Sequence, residues 1–161
     1  MLTDLARLAV RDWVQAALAK RMDLGYEEPP FPVEVEGNLV MLREMLSNLI
    51  DNAIRYTPAG GRITVRVRTD DDLDLVHLEV EDTGLGIPAA ERARGRVERF
   101  YRILGREGDG SGLGLAIVKE IAAMHGGALA IDDHVYQESP RLAGTLVRVS
   151  LQRVFTARDK P

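Results

Sequence analysis

Between residues 39 and 56 the chain carries an apolar stripe and a polar stripe side by side at helical spacing. At 3.6 residues per turn, Met45, Leu46, Leu49, Ile50 and Ala53 share one face, which reads as core. Glu44, Asn48, Asp51, Asn52 and Arg55 share the neighbouring face. Taken alone, that second face is a solvated helix surface. Yet it holds two asparagines one turn apart, and the asparagine side chain competes for the backbone of a helix interior. A second helical pattern covers 4–20, with Leu5, Leu8, Ala9, Trp13, Ala16 and Ala17 on its apolar side. A third, "GLGLAIVKEIAAMHGG", opens on glycines and closes at Gly126–Gly127.

Elsewhere the period is two. "GRITVRVRT" and "LDLVHLEVED" alternate apolar with polar residues and predict antiparallel strands with one buried face, joined at "DDD". "MDLGYEEPPFPVEVEG" reads as a short strand, a proline-broken turn and another short strand, and "TPAGG" ends the helix before it re-enters the sheet. "ALAID" and "AGTLVRVSL" are two further strands. Residues 83–112 keep no period and are rich in arginine and glycine; so long an irregular segment in a compact domain is usually functional. Residues 132–144 read as a polar surface loop and "RVFTARDKP" as a frayed tail. Single helices alternate with strand pairs. The pattern predicts a two-layer α/β sandwich: a mixed, mostly antiparallel sheet of about five strands with three main helices on one face. Residues 1–153 form one domain and 154–161 a tail.

Composition narrows the classes. A chain of 161 residues with 45% apolar content suffices for one domain with a real core. The net charge of −4 argues against a nucleic-acid surface. The absence of cysteine excludes disulfides and thiolate metal sites. No apolar run reaches the length of a membrane span, and the first residues lack a signal-peptide pattern.

Three stretches bear on the polar helix face. In "EDTGLGIP" an acid, Asp82, ends a strand and Gly84 and Gly86 follow. This is either a capped glycine turn or a buried acceptor beside backbone that a flat ligand can approach. A carboxylate suits the exocyclic amine of adenine and not the carbonyl of guanine. In "GSGLGLAIV", Gly110, Gly112 and Gly114 lead into a helix whose first N–H groups form an anion site. The stretch is not a P-loop, because no Gly-Lys-Ser/Thr follows. In "RVERFYR", Phe100 and Tyr101 sit among Arg96, Arg99 and Arg102, which reads as an aromatic plug, as a lid whose arginines face phosphates, or as both.

In order and spacing, "NLIDNAIRYTP", "DTGLGIP", "RFYR" and "GSGLGLAIVKEIAAMHGG" resemble the N, G1, F and G2 boxes of sensor histidine kinases of two-component systems, over residues 4–151. The resemblance is to their catalytic, ATP-binding domain, which has the Bergerat fold. It implies ATP and Mg²⁺ as cofactors. Asn52 matches the asparagine that binds Mg²⁺ bridging the phosphates, where a neutral amide oxygen suffices because phosphates supply the charge. Asn48 matches the first asparagine of the N box, near the phosphates. Arg55 and Tyr56 match the basic and aromatic positions flanking the nucleotide. Asp82 matches the adenine-reading aspartate, with Gly84, Gly86 and Ile87 beside it. Gly110, Ser111, Gly112, Leu113 and Gly114 match the segment that hinges the lid (about 88–111) and meets the phosphates. Asn48, and Arg99 and Arg102 as lid arginines that face the phosphates on closure, are the candidate catalytic residues, and Thr145 resembles a threonine supporting the adenine site. Gly95 and Val97 depart from the phenylalanine usual before "ERF".

Asn48 also separates branches. Water-hydrolysing relatives usually carry a glutamate base there, and an amide cannot take a proton at neutral pH. Glu44, one turn earlier, reads as a solvent-exposed helix residue. None of the three histidines is followed by an acid: His77, His125 and His134 precede Leu78, Gly126 and Val135. His77 is expected on a solvent face, His125 at a helix C-terminus where a cation is favourable, and His134 in the polar loop; all three read as structural or surface residues. The chain therefore reads as a piece of a longer protein. The resemblance implies that its acceptor histidine lies on a separate dimerisation domain, with a response-regulator receiver domain as the next acceptor. It further implies a monomeric fragment of a homodimeric parent, and a cytoplasmic position in an inner-membrane sensor. A stand-alone anti-sigma-type serine kinase and a non-catalytic nucleotide-sensing module are the alternatives.

Overall fold

A computed structural model describes residues 1–83, 113–135 and 143–156. The elements run α1 (Leu2–Ala19), β1 (Asp23–Glu27), β2 (Glu34–Val35), α2 (Leu39–Tyr56), β3 (Arg62–Asp70), β4 (Leu75–Asp82), α3 (Leu113–Met124), β5 (Ala128–Val135) and β6 (Ala143–Val154). The strands form one mixed sheet. β1 runs parallel to β3, and every other pairing is antiparallel: β3 with β4, β4 with β6, β5 with β6, and β2 with the last two residues of β6. The expected sandwich is present, its sixth strand being the two-residue β2.

The core lies between the sheet and the three helices. Alternation supplies one wall: Ile63, Val65 and Val67 of β3, Val76, Leu78 and Val80 of β4, and Val147, Val149 and Leu151 of β6 are all buried. Helical period supplies the other. Met45, Leu46, Leu49, Ile50 and Ala53 of α2 are buried as the stripe predicts, with Leu115, Val118 and Ile121 of α3. In α1, Leu5, Ala9 and Ala17 are buried and Trp13 and Ala16 pack partly buried against the core, as the spacing predicts; Leu8 is exposed instead, and Leu2, Ala6 and Val10 join the buried face.

Helix ends follow from local chemistry. Asn38 caps α2, its Oδ1 accepting from the Met41 N–H at 3.1 Å. Gly126 ends α3 in the left-handed region (φ 65°) that glycine adopts without a Cβ clash. The end of α1 has the same hydrogen bonds, Met22 N–H to Ala17 O and Arg21 N–H to Leu18 O, but an arginine takes the left-handed position (φ 56°).

Three expectations change on the outer half of the sheet. Residues 132–135 belong to β5 and 143–144 to β6, so the polar segment is shorter at both ends than its composition indicates. That puts His134 in a strand, paired with Gly144. Arg153 and Val154 continue β6 rather than fraying. The Arg153 guanidinium lies between the rings of Phe31 and Phe155, 5.3 and 4.7 Å from their centroids, and pairs with Asp71 at 2.8 Å. The outward face of the sheet also buries a charge. Glu79 is only 1% exposed, and Arg148 Nε donates to it at 2.8 Å while Arg66 Nη1 approaches at 3.4 Å. Alternation predicts that position to be outward, and it is, but arginine stems on the flanking strands cover it. His77 on the same face is half-buried rather than solvated. Its Nδ1 lies 2.8 Å from Ser150 Oγ.

Candidate functional site

The register of β4 on β6 sets Asp82 directly opposite Thr145. Both lie in the helix-facing row of the sheet, continuing Leu78–Val80 and Val147–Val149 to the strand end, and Thr145 is buried. On the other side Asp82 pairs with Ile63 of β3. Thr83 then closes the β3–β4 ladder. Its N–H donates to Arg62 O at 3.1 Å and its Oγ1 accepts from Arg62 N–H at 2.9 Å. The chain thus leaves the sheet from a fixed point beside the Asp82 carboxylate.

α2 crosses the sheet with its polar stripe at the edge of the core. Asn48, Asp51 and Asn52 are half-buried, and Glu44 and Arg55 are exposed. Asn48 turns back on its own helix, Nδ2 donating to Glu44 O at 3.0 Å, which leaves its amide oxygen as the outward end. Arg55 pairs with Asp51 one turn earlier at 3.2 Å, an exposed pair that contributes little to stability. Asn52 faces α3. A Cβ built on Gly114 would stand 3.1 Å from both Nδ2 and Oδ1 of Asn52, so glycine leaves room for the amide at the first turn of that helix. The two asparagines are therefore different: one is folded onto its helix and the other sits against a second element.

The structure brings together Asn52 with Gly114, and Asp82 with Thr145. Gly84, Gly86, Ile87, Arg99, Arg102, Gly110, Ser111 and Gly112 lie outside the described residues, as does the side chain of Leu113. Among the described residues no cluster of three His, Cys, Asp or Glu side chains is placed to hold a metal. The donor chemistry present is one half-buried amide oxygen against an open backbone position. That fits a Mg²⁺ ion which takes most of its ligands from phosphate and water.

Two residues that sequence reasoning passed over support this end of α2. Lys20, from the end of α1, donates to the carbonyls of Ile54 (2.6 Å) and Arg55 (3.1 Å). A cation there satisfies terminal carbonyls and meets the negative end of the helix dipole. Nothing local in the sequence signals a reach of 34 residues. Thr57, the C-cap residue, is buried, and its Oγ1 has no hydrogen-bond partner among the described residues.

His125 is a structural residue, and its role goes beyond the helix end. Its Nε2 accepts from the Asn38 backbone N–H at 3.0 Å and its Nδ1 lies 2.7 Å from Ile121 O. The ring thus serves the helix end through two hydrogen bonds, one to the start of α2 and one to its own last turn.

A mixed sheet with three helices on one face, and polar side chains gathered between the strand ends and two antiparallel helices, is the architecture of a large ATPase family. The sequence profile of the family described as "Histidine kinase-, DNA gyrase B-, and HSP90-like ATPase" matches residues 37–154, and the chain belongs to that family. Within it the chain is similar to catalytic domains of sensor histidine kinases. It is 41% identical over 140 residues to the signal transduction histidine-protein kinase/phosphatase MprB of Mycobacterium sp. (strain KMS), covering 85% of this chain and 26% of that protein. It is 47% identical over 105 residues to the sensor histidine kinase CusS of Escherichia coli O6:H1, covering 63% of this chain and 21% of that protein. The chain thus spans about a quarter of the length of these curated relatives. Among solved structures, the mycobacterial sensor histidine kinase MprB superposes with a TM-score of 0.74 at 29% identity over 94% of both chains. The catalytic domain of histidine kinase ThkA gives 0.77 at 21% identity over 94% of this chain and 92% of that one, a likeness of fold. Full-length ShkA, solved in complex with AMPPNP, gives 0.76 at 25% identity over 98% of this chain and 31% of that one.

Proposed function

We propose that this chain binds Mg–ATP between α2, the first turn of α3 and the ends of β4 and β6, and presents the γ-phosphate to a histidine on polypeptide outside this chain. The observation that carries the reading is the pair of contacts flanking that space: Asp82 opposite Thr145 at the sheet, and Asn52 against Gly114 between the helices. Asp82 accepts from the adenine amine, with Thr145 beside it. Tyr56 flanks the base and Arg55 the phosphates. Asn52 offers its amide oxygen to Mg²⁺, which when bound neutralises phosphate charge. Asn48 cannot remove a proton from water at neutral pH, so the nucleotide is held for another acceptor. Gly84, Gly86 and Ile87 continue the adenine side, and Gly110, Ser111, Gly112 and Leu113 the phosphate side. Arg99 and Arg102 are assigned to the transferred phosphate by their place in the motif order alone. Catalysis of this kind rests on positioning and charge neutralisation more than on covalent chemistry.

The acceptor is a histidine on a dimerisation domain of the same parent protein, and a receiver-domain aspartate takes the phosphoryl group next. The likeness to kinases such as MprB and CusS supports this, as does the lack of an acid after any histidine of this chain. ATP places the domain in the cytoplasm. Among the described residues no helix is long and apolar enough to cross a membrane. The test is to mix the chain with Mg–ATP and the dimerisation segment of its parent. Acid-labile phosphohistidine on that segment is the expected product. Its absence under every condition, with ATP bound, would favour a nucleotide-sensing module instead.

A further inference from the structure

α2 and α3 run antiparallel and meet at both ends. At one end Asn52 abuts Gly114. At the other, the side chain that follows α3 holds the backbone that starts α2: His125 Nε2 accepts from the Asn38 N–H at 3.0 Å. The partners of the ring fix its tautomer. An amide N–H can only donate and the Ile121 carbonyl can only accept, so Nδ1 carries the proton and Nε2 the lone pair. Asn38 is held twice, since its own Oδ1 caps α2 through the Met41 N–H. Gly37 lies against the Cδ2–Nε2 side of the ring, where a Cβ would overlap Cδ2 and stand 2.7 Å from Nε2. The contact is therefore built from three successive constraints: a glycine that admits the ring, a backbone donor and a capped helix start.

Between these two ends both helices give buried aliphatic side chains to the same core, among them Leu42, Met45 and Leu49 of α2 and Leu115, Val118 and Ala122 of α3. Burial of this kind is non-directional. It holds the helices together but ranks neighbouring registers weakly. A hydrogen bond to one amide N–H does rank them.

We propose that His125 is a positioning residue for the nucleotide site. Its bond to Asn38 sets the register of α3 along α2, and with it the placement of Gly114 against Asn52, about 16–21 Å away at 1.5 Å of helix per residue. For its effect on ATP this inference rests on the functional reading above.

Two substitutions separate the bond from the bulk. His125→Gln keeps an acceptor at the reach of Nε2. His125→Asn keeps a donor at the position of Nδ1 and withdraws the acceptor. Proton–nitrogen correlation spectra of the labelled chain without nucleotide report the Asn52 side-chain amide and the Gly114 N–H directly. Both resonances are expected to stay in place in His125→Gln and to move in His125→Asn, and Mg–ATP affinity measured by calorimetry is expected to fall about fivefold in the latter only, the equivalent of one neutral hydrogen bond. Unmoved Asn52 and Gly114 resonances in a folded His125→Asn chain would overturn the proposal. If the wild-type chain binds no Mg–ATP, the functional reading fails and the resonances alone decide this one. Should His125→Asn not fold, Gly37→Ala presses the ring from the opposite side. It is expected to move the same two resonances, and leaving them in place would equally overturn the proposal.

Discussion

Asp82 and Thr145 are 63 residues apart in the chain and directly opposite each other in the sheet, one the last residue of β4 and the other the third of β6. Their pairing gives the strand end a carboxylate and a hydroxyl on the helix-facing side. If Asp82 reads adenine, Asp82→Asn replaces an acceptor-only group with one that also donates. We expect ATP affinity to fall about 10–100-fold, the range for a hydrogen bond to a charged group, with the preference for ATP over GTP reduced. Thr145→Val should weaken ATP less than Asp82→Asn does. Calorimetry with both nucleotides checks the order.

The contact between Asn52 and Gly114 predicts the same failure by two routes. Gly114→Ala places a Cβ 3.1 Å from the Asn52 amide and displaces it. Asn52→Ala removes the amide. Both should abolish the Mg²⁺-dependent part of ATP affinity while leaving binding in EDTA nearly intact. Equal affinities for wild type and Asn52→Ala in Mg²⁺ would show that the metal lies elsewhere.

On the opposite face of the sheet, Arg148 is the nearest partner of the buried Glu79. Arg148→Met leaves a carboxylate in low dielectric with Arg66 at 3.4 Å and Arg68 at 3.9 Å as its remaining partners, and should cost about 2 kcal/mol, less than the loss of a sole partner. Glu79→Met removes the charge that needs partners and should cost less than Arg148→Met. Urea denaturation of both variants decides the order, and the site should be unaffected in either.

Two helix ends with the same hydrogen bonds predict opposite effects. Arg21 occupies a left-handed conformation that disfavours side chains, so Arg21→Gly should stabilise by roughly 0.5 kcal/mol, after allowance for the greater freedom of glycine in the unfolded chain. Gly126→Ala, at the equivalent position after α3, should destabilise by about 1 kcal/mol. Thermal melts of the two variants provide the comparison.

Tyr26 donates to Thr3 O at 2.9 Å, and burial, aided by the neighbouring Glu28 carboxylate, raises its pKa well above the ordinary tyrosine value. The unfolded chain releases this proton near pH 10, whereas the folded chain keeps it. The folded state then binds more protons, and stability falls as pH rises through and beyond about 10. Melting temperature followed through that range should decline more steeply in wild type than in Tyr26→Phe.

What was legible in the sequence follows from locality. The α2 stripes are fixed by the helical period, and Met45 to Ala53 are buried as that period requires. Gly126–Gly127 marks the end of α3 because a left-handed cap is a local property. By contrast, Asp82 and Thr145 meet only through strand register, which no single stretch contains. Glu79 occupies an outward position by alternation yet is buried, because its cover comes from Arg66 and Arg148 on flanking strands. His125 reads as a helix-end residue until the Asn38 N–H, 87 residues away, is seen to donate to it.

The place of β6 in the sheet sets an order of assembly. It lies between β4 and β5, pairing with both along most of its length, although both precede it in the chain. A nascent chain emerging from the ribosome can zip β3 to β4 as a hairpin, but β5 has no neighbour until β6 slots in beside it. Thr145 arrives on that strand. That end of the sheet is thus the last part to be laid down, and a chain caught before that step leaves β2, β4 and β5 without their β6 partner and exposes their edges to the surroundings.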